Sequence, residues 1–132
     1  MRRIIAALGF IVLAGCSVLR SLTGAPPAYA VFFDDKNVTL TADARVIVDD
    51  AAKDAKDHPI MFVQLTGPST KAATGYDPTI AEARMRIVEQ TLISDGVPAD
   101  RQFRTEPTPD MLKADQTGRQ RVEIRIVDTK PK

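Results

Sequence analysis

The sequence is poor in the residues from which most catalytic and metal sites are assembled. Its 132 residues include one cysteine, one histidine and no tryptophan. A single Cys16 cannot close a disulfide within the chain, and with His58 alone beside it no clustered Cys/His metal site can form. A nucleophile with a base in reach is equally hard to find, because His58 has no evident partner. Its place at the end of a helical run, before Pro59, suits a cation near a helix C-terminus better than catalysis. Excess charge is missing too: 18 Lys and Arg against 17 Asp and Glu leave +1. That balance argues against a nucleic-acid binder, whose affinity comes from neutralising phosphates. An enzyme is therefore not expected, and neither is a cofactor, a metal or a nucleic-acid partner. No internal repeat and no low-complexity segment is present. The length leaves room for one domain and a leader.

The leader is explicit. Met1-Arg2-Arg3 followed by IIAALGFIVLA is a positive n-region and a short apolar h-region, which reads as a signal peptide over residues 1–15. Leu13-Ala14-Gly15-Cys16 then resembles a bacterial lipobox. The resemblance implies thioether attachment of diacylglycerol to Cys16, cleavage before it and acylation of the new amino terminus. A buried structural Cys is the plainer alternative, but the position directly after an h-region argues against it. A rival A-x-A signal at Ala28-Tyr29-Ala30 lies too far beyond the h-region, and cleavage there would leave Val31 as the first residue of a strand. Losing residues 1–15 removes two arginines and no acid, which takes the net charge from +1 to −1. Each buried acyl CH₂ adds about 0.8 kcal/mol, so several chains anchor the protein durably. Ser17 after the cysteine, by resemblance to the usual sorting rule, favours the outer membrane. Ser17 to Ala30, SVLRSLTGAPPAYA, is small and polar with a Pro-Pro pair, and reads as a tether. It spans at most about 46 Å and about 20 Å as a relaxed coil.

Regular patterning is expected from residue 31 to residue 129, with 130–132 as a tail. Val31-Phe32-Phe33 reads as a short strand. Thr41 is placed to cap a helix in which Ala44, Ile47, Val48, Ala51 and Ala55 repeat at helical spacing, up to His58-Pro59. Ile60-Met61-Phe62-Val63 is a continuous apolar run that predicts a central strand buried on both faces. Asp77 caps a second helix with Pro78 at its first position, and Ser94-Asp95-Gly96 ends it. Gln102 to Thr105 carries a weaker strand pattern. Glu106 to Gly118 holds two prolines and room for a helical turn around Met111-Leu112. Val122, Ile124 and Ile126 alternate with Arg121, Glu123 and Arg125, predicting a strand with one buried and one wet face. The order β-α-β-α-β-β predicts an α+β sandwich, two helices packed on one face of a mixed sheet.

Four local pieces in that order resemble the OmpA-like domain family (OmpA C-terminal), which includes the peptidoglycan-associated lipoproteins. Val31-Phe32-Phe33-Asp34 is similar to the opening VxFD. Leu40-Thr41-Ala42-Asp43-Ala44 is similar to the start of the first helix. Gly96-Val97-Pro98-Ala99-Asp100-Arg101 matches the G-[IV]-P-A-[DE]-[RK] turn, and Arg121-Val122-Glu123-Ile124 the closing RRVEI. The resemblance covers residues 31–128. It implies a pocket beside the second helix that holds the diaminopimelate of a peptidoglycan stem peptide. Such a ligand carries carboxylate and ammonium, so the pocket needs an arginine and an acid close together.

Onto this chain the family arginine falls on Arg84, the asparagine on Asp77 and the threonine on Thr66; Arg121 is a further candidate. The family aspartate falls on Gly67. The following loop, from Pro68 to Tyr76, is about two residues longer than the family spacing. The family's serine, histidine and first closing arginine are replaced by Ala81, Leu65 and Gln120, and its long loop before the last strand is abbreviated. Each residue also has a plainer reading. Arg84 lies on the apolar face marked by Ile80, Ile87, Val88 and Leu92, where an unpaired guanidinium is costly, so either a protein acid or a ligand must meet it. Asp77 is a helix cap as readily as a ligand group. Arg121 is a routine strand charge, Tyr76 packing, and Arg86 a helix-surface partner of Glu82. Two functions stay open. One is a lipid-anchored tether that binds peptidoglycan. The other is an OmpA-like scaffold that has lost that ligand and serves as a protein-interaction part of an envelope or secretion assembly.

Overall fold

Two side-chain caps set the helices. Thr41 is extended, and its Oγ1 accepts from the Ala44 amide at 3.1 Å, starting α1 (Ala42–Asp57). Asp77 does the same for α2 (Pro78–Ser94), its Oδ1 accepting from the amides of Thr79 and Ile80 at 2.8 and 3.4 Å. Each satisfies amides that would otherwise be orphaned at a helix start. Helix α2 stops where Gly96 takes φ +96, a conformation open to glycine and costly elsewhere. The computed structural model describes residues 27–67, 77–107 and 120–132. The leader, Cys16, most of the tether, Tyr76 and the turn expected at Met111-Leu112 lie outside the described residues.

The strands are β1 (Ala28–Phe32), β2 (Phe62–Thr66), β3 (Gln102–Thr105) and β4 (Arg121–Val127). They form one mixed sheet in the order β1-β4-β2-β3, with β4 antiparallel to both neighbours and β2 parallel to β3. The last strand thus inserts between the first two, and the element order and α+β class follow the sequence expectation. Two boundaries differ. β1 begins at Ala28, inside the stretch read as tether, because Ala28, Tyr29 and Ala30 pair with Arg125, Ile124 and Glu123. β2 begins at Phe62, and Ile60 is 90% exposed in the turn before it. That strand is central, yet only one of its faces is fully buried, since Phe62 and Gln64 are half-buried.

Both helices pack on the sheet face that carries Val31, Val63, Leu65, Val122, Ile124 and Ile126. Ala44, Val48, Ala51 and Ala55 of α1 and Met85, Val88 and Leu92 of α2 complete the core. The small residues of α1 let the helix lie close to the strands. Arg101, in a short 3-10 turn (Ala99–Arg101), ties off the far end of α1. Its Nε donates to the Met61 carbonyl at 2.9 Å, and its Nη2 to the carbonyls of Ala55 and His58 at 2.8 and 2.9 Å. The Gly-Val-Pro-Ala-Asp-Arg turn seen in the sequence is therefore a structural clasp: a cation at a helix C-terminus, satisfying carbonyls the helix cannot.

Candidate ligand site around Arg84

Arg84 lies on the buried face of α2 and is 5% exposed. Its helix phase follows from the apolar spacing, so the sequence reading of an arginine on the core side holds. Among the described residues, what meets the guanidinium is not an acid. Nε donates to the Asn37 carbonyl at 2.8 Å, and Nη2 donates to the Asp34 carbonyl at 3.0 Å and to Gln120 Oε1 at 3.3 Å. The guanidinium also stands over the Phe33 ring, 5.1 Å from its centroid, a cation–π contact. Nη1 makes no hydrogen bond among the described residues. Desolvation draws the Arg84 pKa down, with the nearby Asp35 charge acting in the opposite direction. Arginine stays charged regardless. The cradle orients the group with neutral acceptors, and no carboxylate pairs with it among the described residues.

The cradle comes from one place in the fold. Phe33 continues the β1–β4 ladder by donating its amide to the Gln120 carbonyl at 2.9 Å. Directly after it the chain turns, with the Asn37 amide on the Asp34 carbonyl at 3.0 Å. Lys36 sits in the left-handed region at φ +54 to complete that turn, a position that favours Gly or Asn. The two carbonyls that hold Arg84 are the two ends of this turn.

The four residues carried from the sequence do not gather around one point. Asp77 caps α2 and makes no ion pair with Arg84 among the described residues. Thr66 and Arg121 alternate with the core residues Leu65 and Val122, which puts both on the sheet face away from the helices. There Thr66 is 2% exposed and its Oγ1 lies 2.8 Å from Thr105 Oγ1. Arg121 Nε pairs with Glu123 Oε1 at 2.9 Å, and Arg125 takes the other oxygen at 3.3 Å. Glu123, in register with Thr66, is 8% exposed, so this face of β4 is not the wet one expected there. Of the Gln120-Arg121 pair it is Gln120 that reaches Arg84. The sequence marks none of Asn37, Asp34, Gln120 and Phe33 as a ligand residue. Two act through main-chain carbonyls, which leave no trace in side-chain pattern.

Gly67 is buried at the end of β2, and a Cβ built on it would fall 2.5 Å from Met85 Cε. The Met85 methyl occupies the room a side chain would need. Among the described residues no cluster of His, Cys, Asp and Glu is arranged to hold a metal.

No protein-family model matches the chain, and neither does any curated protein. Solved structures do. The peptidoglycan-associated lipoprotein of Burkholderia pseudomallei superposes with a TM-score of 0.60 at 18% identity, covering 74% of this chain and 89% of that one. The OmpA-like domain of FopA1 from Francisella tularensis gives 0.61 at 19% identity, over 78% and 75% of the two chains. The periplasmic domain of Helicobacter pylori MotB gives 0.54 at 17%, over 74% and 70%. The chain therefore has the OmpA-like fold. Likeness at this identity concerns the backbone alone, and function has to be argued from the site.

Proposed function

We propose that this chain is a periplasmic lipoprotein, acylated on Cys16 and held on the outer membrane, whose domain binds peptidoglycan non-covalently. Arg84 presents its guanidinium to a carboxylate of the stem peptide, the diaminopimelate centre being the chemical match. One observation carries the reading. A buried arginine on an OmpA-like fold is fixed by three neutral acceptors and has no carboxylate partner among the described residues. A purely structural arginine at that depth is normally neutralised by an acid, since an unpaired buried charge costs several kcal/mol, about 3–5 by mutation. An incoming carboxylate would supply the missing charge. The test is co-sedimentation of the full chain, purified in mild detergent, with isolated sacculi. Wild type is expected in the pellet and Arg84→Lys largely in the supernatant, because lysine cannot reproduce the planar fork. Equal sedimentation of both would end the proposal. Incorporation of labelled palmitate into the wild type but not into Cys16→Ala tests the anchor.

A second reading has its own support. Gly67 replaces the aspartate that the family pattern puts there, and Met85 fills the space behind it. A scaffold that has given up peptidoglycan and binds an envelope protein accounts for that substitution. Recovery of one stoichiometric envelope partner with tagged protein that does not sediment with sacculi would favour it.

A further inference from the structure

The sheet has two open edges, and they are not alike. β3 is short, follows a 3-10 turn and is closed by Glu106-Pro107. Its one charged residue, Arg104, is held on the helix side by Glu82 and Glu89. Shortness, charge and proline are the usual guards of an exposed edge. β1 has none of the last two. Ala28–Phe32 reads AYAVF, with no charge, no proline and no glycine, and it pairs on one side only, with β4. The Phe33 amide donates to Gln120 in that ladder, so alternation turns the main-chain groups of Val31 and Tyr29 toward β4 as well. Those of Ala28, Ala30 and Phe32 face out from the edge and hydrogen-bond to nothing among the described residues. Phe32 adds an apolar ring that is 46% exposed.

Beside this edge runs a row of carboxylates. Tyr29 Oη donates to Asp54 Oδ2 at 2.8 Å, which sets that side of α1 over β1. Asp43, Ile47, Asp50 and Asp57 share the stripe with Asp54, at alternating spacings of four and three. The opposite side of the helix faces the end of α2, through Arg45 on Asp95 and Lys56 beside Gly96. Asp43, Asp50 and Asp57 are exposed. Asp57 has Lys53 at 3.3 Å, whereas Asp43 and Asp50 make no ion pair among the described residues.

We infer that the free edge of β1 binds an extended, lysine- or arginine-bearing segment of a partner protein, which joins the sheet as an added strand. The edge supplies affinity through main-chain bonds, and the acidic stripe supplies the choice of partner. An added strand lies about 4.8 Å beyond β1. Its side chains alternate, one set on the sheet face of Ala30 and Phe32, the other on the helix face beside Asp50 and Asp54. Apolar residues suit the first set and cations the second. Charge also decides against a second copy of this chain as the occupant. Two β1 strands pairing about a twofold axis would bring two identical carboxylate rows alongside each other, a like-charge contact. The edge uses none of the groups that hold Arg84, so the inference goes beyond the peptidoglycan reading and does not depend on it.

The test is calorimetric titration of the full chain, in uncharged detergent, with an end-capped heptapeptide of alternating lysine and valine. Saturable binding is expected below about 1 mM. The same peptide with glutamate in place of lysine should bind at least about tenfold more weakly. Two further peptides carry N-methyl groups, one on its valine amides and the other on its lysine amides. Only one of those sets can face β1, so one peptide should lose binding and the other keep it. On the protein, Ala30→Pro removes an outward amide that β4 does not use, and should abolish binding with the β1–β4 pairing intact. Asp50→Lys should weaken the lysine peptide at least about fivefold, and Asp100→Lys, in the exposed turn before β3, should not. Arg84→Lys should titrate as wild type, which keeps this result distinct from sacculus binding. No binding of the lysine peptide, equal binding of the glutamate peptide, or the same response to both N-methylated peptides overturns the proposal. So does unchanged binding by Ala30→Pro. A dimer in analytical ultracentrifugation that Ala30→Pro dissolves would assign the edge to a second copy and overturn it equally.

Discussion

The methyl of Met85 stands where a side chain on Gly67 would begin, 2.5 Å from the position of its Cβ. Met85 is 6% exposed on the core face of α2, so it can yield only by changing rotamer within a packed interior. Restoring the family's acid with Gly67→Asp is therefore expected to destabilise the domain by about 1–3 kcal/mol. Gly67→Asp combined with Met85→Ala should be less destabilised than the sum of the two single variants. Urea unfolding of the four proteins in a double-mutant cycle measures the coupling. Strict additivity would mean that the methionine moves aside freely.

Arg84 and Arg101 use the same chemistry for different ends. Both reach across the fold to main-chain carbonyls, but those held by Arg101 belong to the end of α1 and the turn after it. Arg101→Ala is expected to cost about 2–4 kcal/mol through carbonyls left unsatisfied. It should sediment with sacculi like the wild type at temperatures where it stays folded. Arg84→Lys should show the reverse weighting, with the larger effect on sedimentation.

Arg104 on β3 forks between two acids of α2, with Nη1 on Glu82 at 2.7 Å and Nε on Glu89 at 2.6 Å. The hydrogen bond from Arg104 holds the Glu82 carboxyl below its ordinary value. A carboxyl lowered on folding contributes stability above its unfolded pKa, and that contribution disappears as pH falls through the folded value. Arg104→Ala should thus cost about 0.5–1 kcal/mol at pH 7, a surface-network magnitude. The gap from wild type should close below about pH 4. Thermal unfolding from pH 7 down to pH 3 reads this directly, and 0.5 M salt should shrink the gap at neutral pH.

The first strand sets a limit on truncation. A chain starting at Val31 lacks Ala28, Tyr29 and Ala30, and with them the bond from Tyr29 Oη to Asp54 Oδ2 at 2.8 Å. It is expected to unfold at least about 5 °C below a chain starting at Pro27, given roughly 1 kcal/mol or more lost. Circular dichroism on the two chains decides it, and equal midpoints would show that the start of β1 adds nothing.

Much of this protein is determined locally. Thr41 and Asp77 announce helix starts because a cap is a bond between neighbours in sequence, and the alternation through Val122, Ile124 and Ile126 marks a strand with one core face. Helical phase alone places Arg84 on the buried side of α2. Tertiary structure decided what the arginine meets. Its acceptors lie 36, 47 and 50 positions away in sequence, and two of them are backbone carbonyls that any residue would offer. The insertion of β4 between β1 and β2 likewise fixed where β1 begins and sent Thr66 and Arg121 to the opposite face of the sheet from Arg84. Pattern along a chain reports which way a side chain points from its own element. Only the packing of distant elements decides what stands opposite, and here, among the described residues, that is a turn offering two main-chain carbonyls, with Gln120 beside it.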